Sequence, residues 1–199
     1  MRTKQRLAGI LICILTIFCC GAVYGDQKRD QLSEPDMAAL FTDAVRRPLI
    51  YFFYDDYDYN GTFEAMAVTE AEKENYVRVY FVSSDGAITD LTKGRDLCGS
   101  EFQDHDNARE RYMVDTGTQK FYTWESFAGG SGSTSYIFGV RNGVPYEPEI
   151  SGEVQDFMRD GNEIVFFKND FTNGHDYIRT VLDFDPGSGE FRVSGGAVG

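Results

Sequence analysis

Apolar residues recur at two different spacings along the chain, and the change of spacing divides it. Met37, Leu40, Phe41 and Val45 fall on one face of a helix. Ser33 stands where an N-cap belongs, Pro35 lies in the first turn where proline is tolerated, and Glu34 and Asp36 sit near the positive end of the helix dipole. Arg46-Arg47-Pro48 closes the helix. From Leu49 onward the pattern is that of short β segments. Leu49–Tyr54 is a continuous apolar run, Phe63–Thr69 follows an acidic loop, and Tyr76–Ser83 alternates Val77, Val79 and Phe81 with Tyr76, Arg78 and Tyr80. Asp85-Gly86 is a tight turn that returns Ala87–Leu91. Thr92–Glu110 has no period and reads as loop. Strand character resumes at Arg111–Val114, Thr118–Phe127 and Thr134–Arg141, and the Asn142-Gly143 turn leads into Val144–Tyr146.

Ser151 is placed to cap a short helix over 152–160 with Val154, Phe157 and Met158 inward and Gly161 at its end. Three closing strands follow, Glu163–Lys168, Asp176–Phe184 and Glu190–Ser194, with turns at Asn173-Gly174 and at Pro186 to Gly189. No sequence repeat of 20–50 residues stands out. The pattern therefore predicts a mainly β domain, α+β at the margin, built as an antiparallel meander in a sandwich-like or curled sheet. One amphipathic helix precedes it and one short helix interrupts it.

Residues 1–25 carry Arg2, Lys4 and Arg6, then an apolar run from Leu7 to Phe18, then small residues up to Gly25. This reads as a secretory signal cleaved before Asp26. The alternatives are an uncleaved anchor, for which Leu7 to Val23 is barely long enough, and a lipoprotein modified at Cys20, for which Cys19 and Phe18 are poor neighbours. The expected organisation is a signal peptide (1–25), a polar tether (26–32), one domain (33–194) and a glycine-rich tail (195–199). Cys13, Cys19 and Cys20 leave with the signal, so Cys98 remains alone and no internal disulfide is expected. Within 199 residues there are 32 acidic and 19 basic side chains, and the leader removes three of the basic ones. Such a charge repels phosphate backbones and anionic lipid, so neither nucleic acid nor insertion into a membrane after cleavage is expected. Aromatic residues at 15% argue for a folded core.

The segment that carries chemistry is Asp56-Tyr57-Asp58-Tyr59-Asn60-Gly61-Thr62-Phe63-Glu64. Oxygen-bearing side chains recur at every second residue until a glycine turns the chain. A hard cation such as calcium takes six to eight oxygens, and Asp56, Asp58, Asn60, the Thr62 carbonyl and Glu64 supply candidates at suitable spacing. Asp55 is a further acid beside them. The spacing resembles the nine-residue calcium loop of integrin-type propeller repeats, the FG-GAP or VCBS pattern, in which one strand enters the loop and another leaves it. That resemblance implies a structural calcium ion. An EF-hand fits less well, because its twelfth position needs a carboxylate and here holds Ala67. Two other readings remain open. Acidic Asn/Gly loops join strands without metal, and Asn60-Gly61-Thr62 is a glycosylation sequon.

The remaining candidates read more plainly. Asp183 to Glu190 is an acidic turn lacking an oxygen ligand at its fifth position, Gly187. His105 and His175 lie beside aspartates in turns. The glycine-serine stretch Gly129 to Ser133 precedes a strand, where a phosphate cradle would need a helix. No nucleophile–base arrangement of a known hydrolase appears. Tyr57, Tyr59, Tyr122 and Trp124 could offer rings to a sugar or a protein, or simply fill the core. The sequence thus predicts an extracellular binding or interaction domain for a glycan or protein partner. A secreted hydrolase using a carboxylate pair is the alternative.

Overall fold

A computed structural model describes residues 31–99, 107–127, 132–172, 174 and 176–194. The expected signal sequence, most of the expected tether, most of the glycine-serine loop, both histidines and the C-terminal residues 195–199 lie outside the described residues. Helix α1 spans Glu34–Val45. The Ser33 side chain accepts the Asp36 N–H at its start, and Arg46 ends it in a left-handed conformation.

Among the described residues, thirteen strands follow in three antiparallel sheets. The first holds β1 (Leu49–Asp55), β2 (Glu64–Glu70), β3 (Tyr76–Val82) and β4 (Ile88–Asp90) in that order, with β5 (Leu97–Cys98) also paired to β3. After a short helix α2 (Ala108–Tyr112), the second sheet runs β6 (Met113–Asp115), β7 (Lys120–Phe127), β8 (Ser133–Arg141) and β9 (Val144–Tyr146). The third runs β10 (Gln155–Asp160), β11 (Glu163–Asp170), β12 (Asp176–Asp185) and β13 (Glu190–Val193). Every sheet is thus a meander, as the alternating pattern predicts.

The alternation of side chains across each strand assigns the layers. Ala65 and Ala67 of β2 and Tyr80 and Val82 of β3 pack under Met37 and Phe41 of α1. The small alanines let the helix approach, and each large α1 side chain buried there contributes about 2–3 kcal/mol. Met66, Val68, Val77, Val79 and Phe81 point the other way, against Tyr122, Trp124, Phe138 and Val140 of the second sheet. Phe121 and Ile137 leave the second sheet on its far side and meet Phe157, Ile164, Leu182 and Phe191 of the third. The order is helix, first sheet, second sheet, third sheet.

Three elements depart from the sequence reading. The short helix expected over 152–160 is strand β10. Val154 and Phe157 are both buried three residues apart, but a bulge between Gln155 and Met158, with Asp156 at φ 47°, produces that spacing. Ser151 caps no helix; its hydroxyl accepts the Ile137 N–H at 2.9 Å. The stretch Thr92–Glu110, read as loop, contains β5 and the start of α2, and Arg111 and Tyr112 are helical rather than the start of a strand.

Candidate functional site

Strands β1 and β2 are joined by the acidic loop, and their pairing ends with Asp55 opposite Glu64. Directly paired residues project to the same face, so both carboxylates point toward the second sheet with Phe53 and Met66. Their surroundings differ sharply. Asp55 bonds to Lys120 Nζ at 2.6 Å and to Arg109, whose guanidinium also donates to the Tyr54 carbonyl. Burial alone raises the Asp55 carboxyl, but hydrogen bonds and charge from Lys120 and Arg109 outweigh it and hold it below the ordinary value.

Glu64 has no such partners. It is 1% exposed, and neither of its carboxylate oxygens has a hydrogen-bond partner. Burial and then the charge of Asp58 push its carboxyl up to about 7; the Tyr57 backbone pulls the other way without reaching hydrogen-bond geometry, and the charge of Asp56 adds the smallest push. Oδ1 of Asp58 is likewise buried without a partner, while its Oδ2 accepts the Gly143 N–H at 3.0 Å. Among the described residues, five buried side-chain oxygens lack partners, and three of them belong to Asp58 and Glu64. Leaving such atoms dry costs about 1–3 kcal/mol each, and more when charged. Two neighbouring carboxylates without a counter-charge are costly to keep ionised together.

The other predicted ligands are turned to the loop itself. Asp56 accepts the N–H groups of Asn60 at 3.0 Å and Gly61 at 2.8 Å, and the Asn60 side-chain oxygen accepts the Thr62 N–H at 2.6 Å. Gly61 takes φ 83°, the left-handed turn that glycine allows. Asp58 and Glu64 are therefore brought together, and Asp56, Asn60 and Thr62 shape the bend. No group of three or more His, Cys, Asp or Glu side chains is gathered around one point among the described residues. Calcium loops also draw on amide and carbonyl oxygens, and each Asp56 oxygen accepts one N–H and keeps a free lone pair. Asp58 and Glu64 are thus the carboxylates that could hold a hard cation here, and Asp56 is not gathered with them into a three-carboxylate group.

The tyrosines between the ligands behave differently from one another. Tyr57 is fully buried in the core, its hydroxyl donating to the Phe53 carbonyl at 2.8 Å, so it offers no ring to a ligand. Tyr122 and Trp124 are core residues too. Tyr59 keeps 46% exposure at φ 56°, its hydroxyl bonded to Asp115 and Lys120 Nζ 4.7 Å from its ring centre. Beside it lies an open cleft of about 410 Å³ whose walls include Asp55, Arg109, Met113, Asp115 and Lys120. Phe127, at the end of β7, is exposed. Cys98 is a half-buried free thiol in β5. In the Asp183–Glu190 turn, Asp185 accepts the Gly187 N–H at 2.9 Å and pairs with Arg192, so its charge is satisfied.

The sequence singled out Asp58 and Glu64 as candidates and gave no sign that Gly143, Lys120 and Arg109 would meet this loop. These three meet the loop from more than fifty residues away, and only the turn signal at Asn142-Gly143 was visible in advance. The chain matches no protein-family model, no curated protein and no solved structure.

Proposed function

We propose that the chain is an exported, acidic β domain that holds one structural calcium ion on the β1–β2 loop and serves extracellular binding or interaction with a glycan or protein. The observation that carries the calcium reading is the pair of orphaned carboxylates: Glu64 with both oxygens dry and Asp58 with one. A monatomic ion fits a site that is 1% exposed, whereas a hydrolase substrate cannot reach Glu64 there. The loop resemblance is supported by its position between the first two strands of a meander, with two further four-stranded meanders stacked behind it. A closed propeller uses four to eight such sheets, so the three described here form a shorter stack. The binding role is supported by the exposed Tyr59 ring beside the mixed-charge cleft.

Thermal melts test the calcium reading. An ion that binds the folded state at a hundredfold excess over its Kd stabilises by about 2.7 kcal/mol, which for a domain of this size is a rise of roughly 5–10 °C. Calcium is expected to raise the melting temperature by that amount over chelator, and Asp58→Ala is expected to remove the difference. Equal melts in calcium and chelator for the wild type would reject the reading.

A further inference from the structure

Resting on the calcium reading, we infer that Gly143, in the β8–β9 hairpin of the second sheet, is a positioning residue of the cation site. Its N–H holds Asp58 Oδ2 at 3.0 Å, which fixes the carboxylate with Oδ1 buried and free for the ion. Asn142 and Gly143 take φ 51° and 70°, the positive pair of a tight hairpin turn that directs this N–H at the loop. A Cβ at Gly143 would lie 3.9 Å from Glu64 Oε1, so the turn also walls the second carboxylate. Both carboxylates thus come from the first sheet and its β1–β2 loop, and the residue that orients one and borders the other comes from a turn of the second.

The loop is keyed to the second sheet at three successive residues. The Tyr57 carbonyl accepts the Lys120 N–H at 2.8 Å, Asp58 accepts Gly143, and the Tyr59 hydroxyl donates to Asp115 at 2.7 Å. Without an ion, the Asp58 and Glu64 charges repel one another across the end of this contact. With an ion both are drawn to a common centre, and Asp58 is held in place at its bond to Gly143. Ion binding and hairpin docking are therefore linked, and each strengthens the other to the same degree. The cation acts as a clamp between the two sheets.

The test compares the full wild-type chain with Gly143→Ala and Gly161→Ala. Gly161 sits at φ 60° in the β10–β11 turn with open space where a Cβ would go, so its substitution imposes similar backbone strain away from the loop. Both variants are expected to lose similar stability in chelator. Only Gly143→Ala is expected to bind calcium more weakly by calorimetric titration, by roughly ten- to a hundredfold, as when a hydrogen bond that orients a ligand is disturbed. In the wild type, exchange of the Gly143 amide hydrogen is expected to slow at least tenfold on adding calcium. The inference is overturned if Gly143→Ala binds calcium as tightly as the wild type. It is equally overturned if wild type binds calcium while its Gly143 amide exchanges at an unchanged rate, a result that leaves the calcium reading standing. Absence of calcium binding by the wild type would remove both.

Discussion

Glu64→Gln is expected to make the chelator-treated protein more stable than wild type and the calcium-treated protein less stable. The two effects come from the same atoms. In chelator at pH 8 the wild-type carboxylate is ionised, 1% exposed and without a partner for either oxygen. Its carboxyl is pushed from 4.5 up to about 7 by burial and by Asp58 and Asp56, which amounts to about 3 kcal/mol of destabilisation when the group is charged. Glutamine has the same shape and no charge, so the variant should melt higher by on the order of 10 °C. With calcium present the order reverses, because the amide supplies one neutral oxygen where the carboxylate supplied two charged ones. Paired melts in chelator and in calcium check this. A loss of stability in both conditions would mean that Glu64 has a protein partner and that no ion is needed.

The second large effect is on pH dependence. Glu64 titrates near 7 when folded and near 4.5 when unfolded, so between these values the folded chain keeps a proton that the unfolded chain has lost. Stability from this group is therefore complete below about 4.5 and disappears as pH rises through about 7. In chelator, the wild type should lose about 3 kcal/mol relative to Glu64→Gln between pH 4.5 and pH 8, as measured by denaturant unfolding. The groups facing Glu64 are Asp58, the Tyr57 backbone and Asp56 on its own loop and Gly143 from the hairpin; the Tyr57 backbone opposes the shift without reversing it, and no cation is among them. Asp55 behaves oppositely, since Lys120 and Arg109 hold its carboxyl low, and its contribution fades only in stronger acid. Calcium should flatten the difference between pH 6 and pH 8. A chelated wild type that parallels Glu64→Gln across the whole range would contradict the buried, unpaired carboxylate.

Much of the fold was legible because its signals are local. Ser33 caps α1, Arg46-Arg47-Pro48 stops it, and Asp85-Gly86 and Asn142-Gly143 make the turns between paired strands. Alternation along β3 gave its two faces, although not that both are covered, Tyr80 by Phe41 and Val79 by the second sheet. The helix expected over 152–160 failed for a local reason as well: an extra residue at the bulge puts Val154 and Phe157 at a helical interval. In the loop, the spacing of Asp56, Asp58, Asn60, Gly61 and Glu64 was enough to find the bend. It did not show that Asp56 and Asn60 hold backbone N–H groups, nor that Tyr57 is a core residue. The first two are bonds within the loop, whereas the burial of Tyr57 depends on the second sheet, which also supplies Lys120, Asp115 and Gly143 to the loop. Contacts between segments so distant in sequence leave no periodic trace in either.

Equilibrium dialysis of chelator-stripped wild-type chain against radiolabelled calcium, with Glu64→Gln alongside, measures most directly whether the two dry carboxylates exist to hold an ion. One calcium retained per wild-type chain and none per Glu64→Gln chain is the expected result. An unlabelled wild-type chain, or equal label on both, would contradict it.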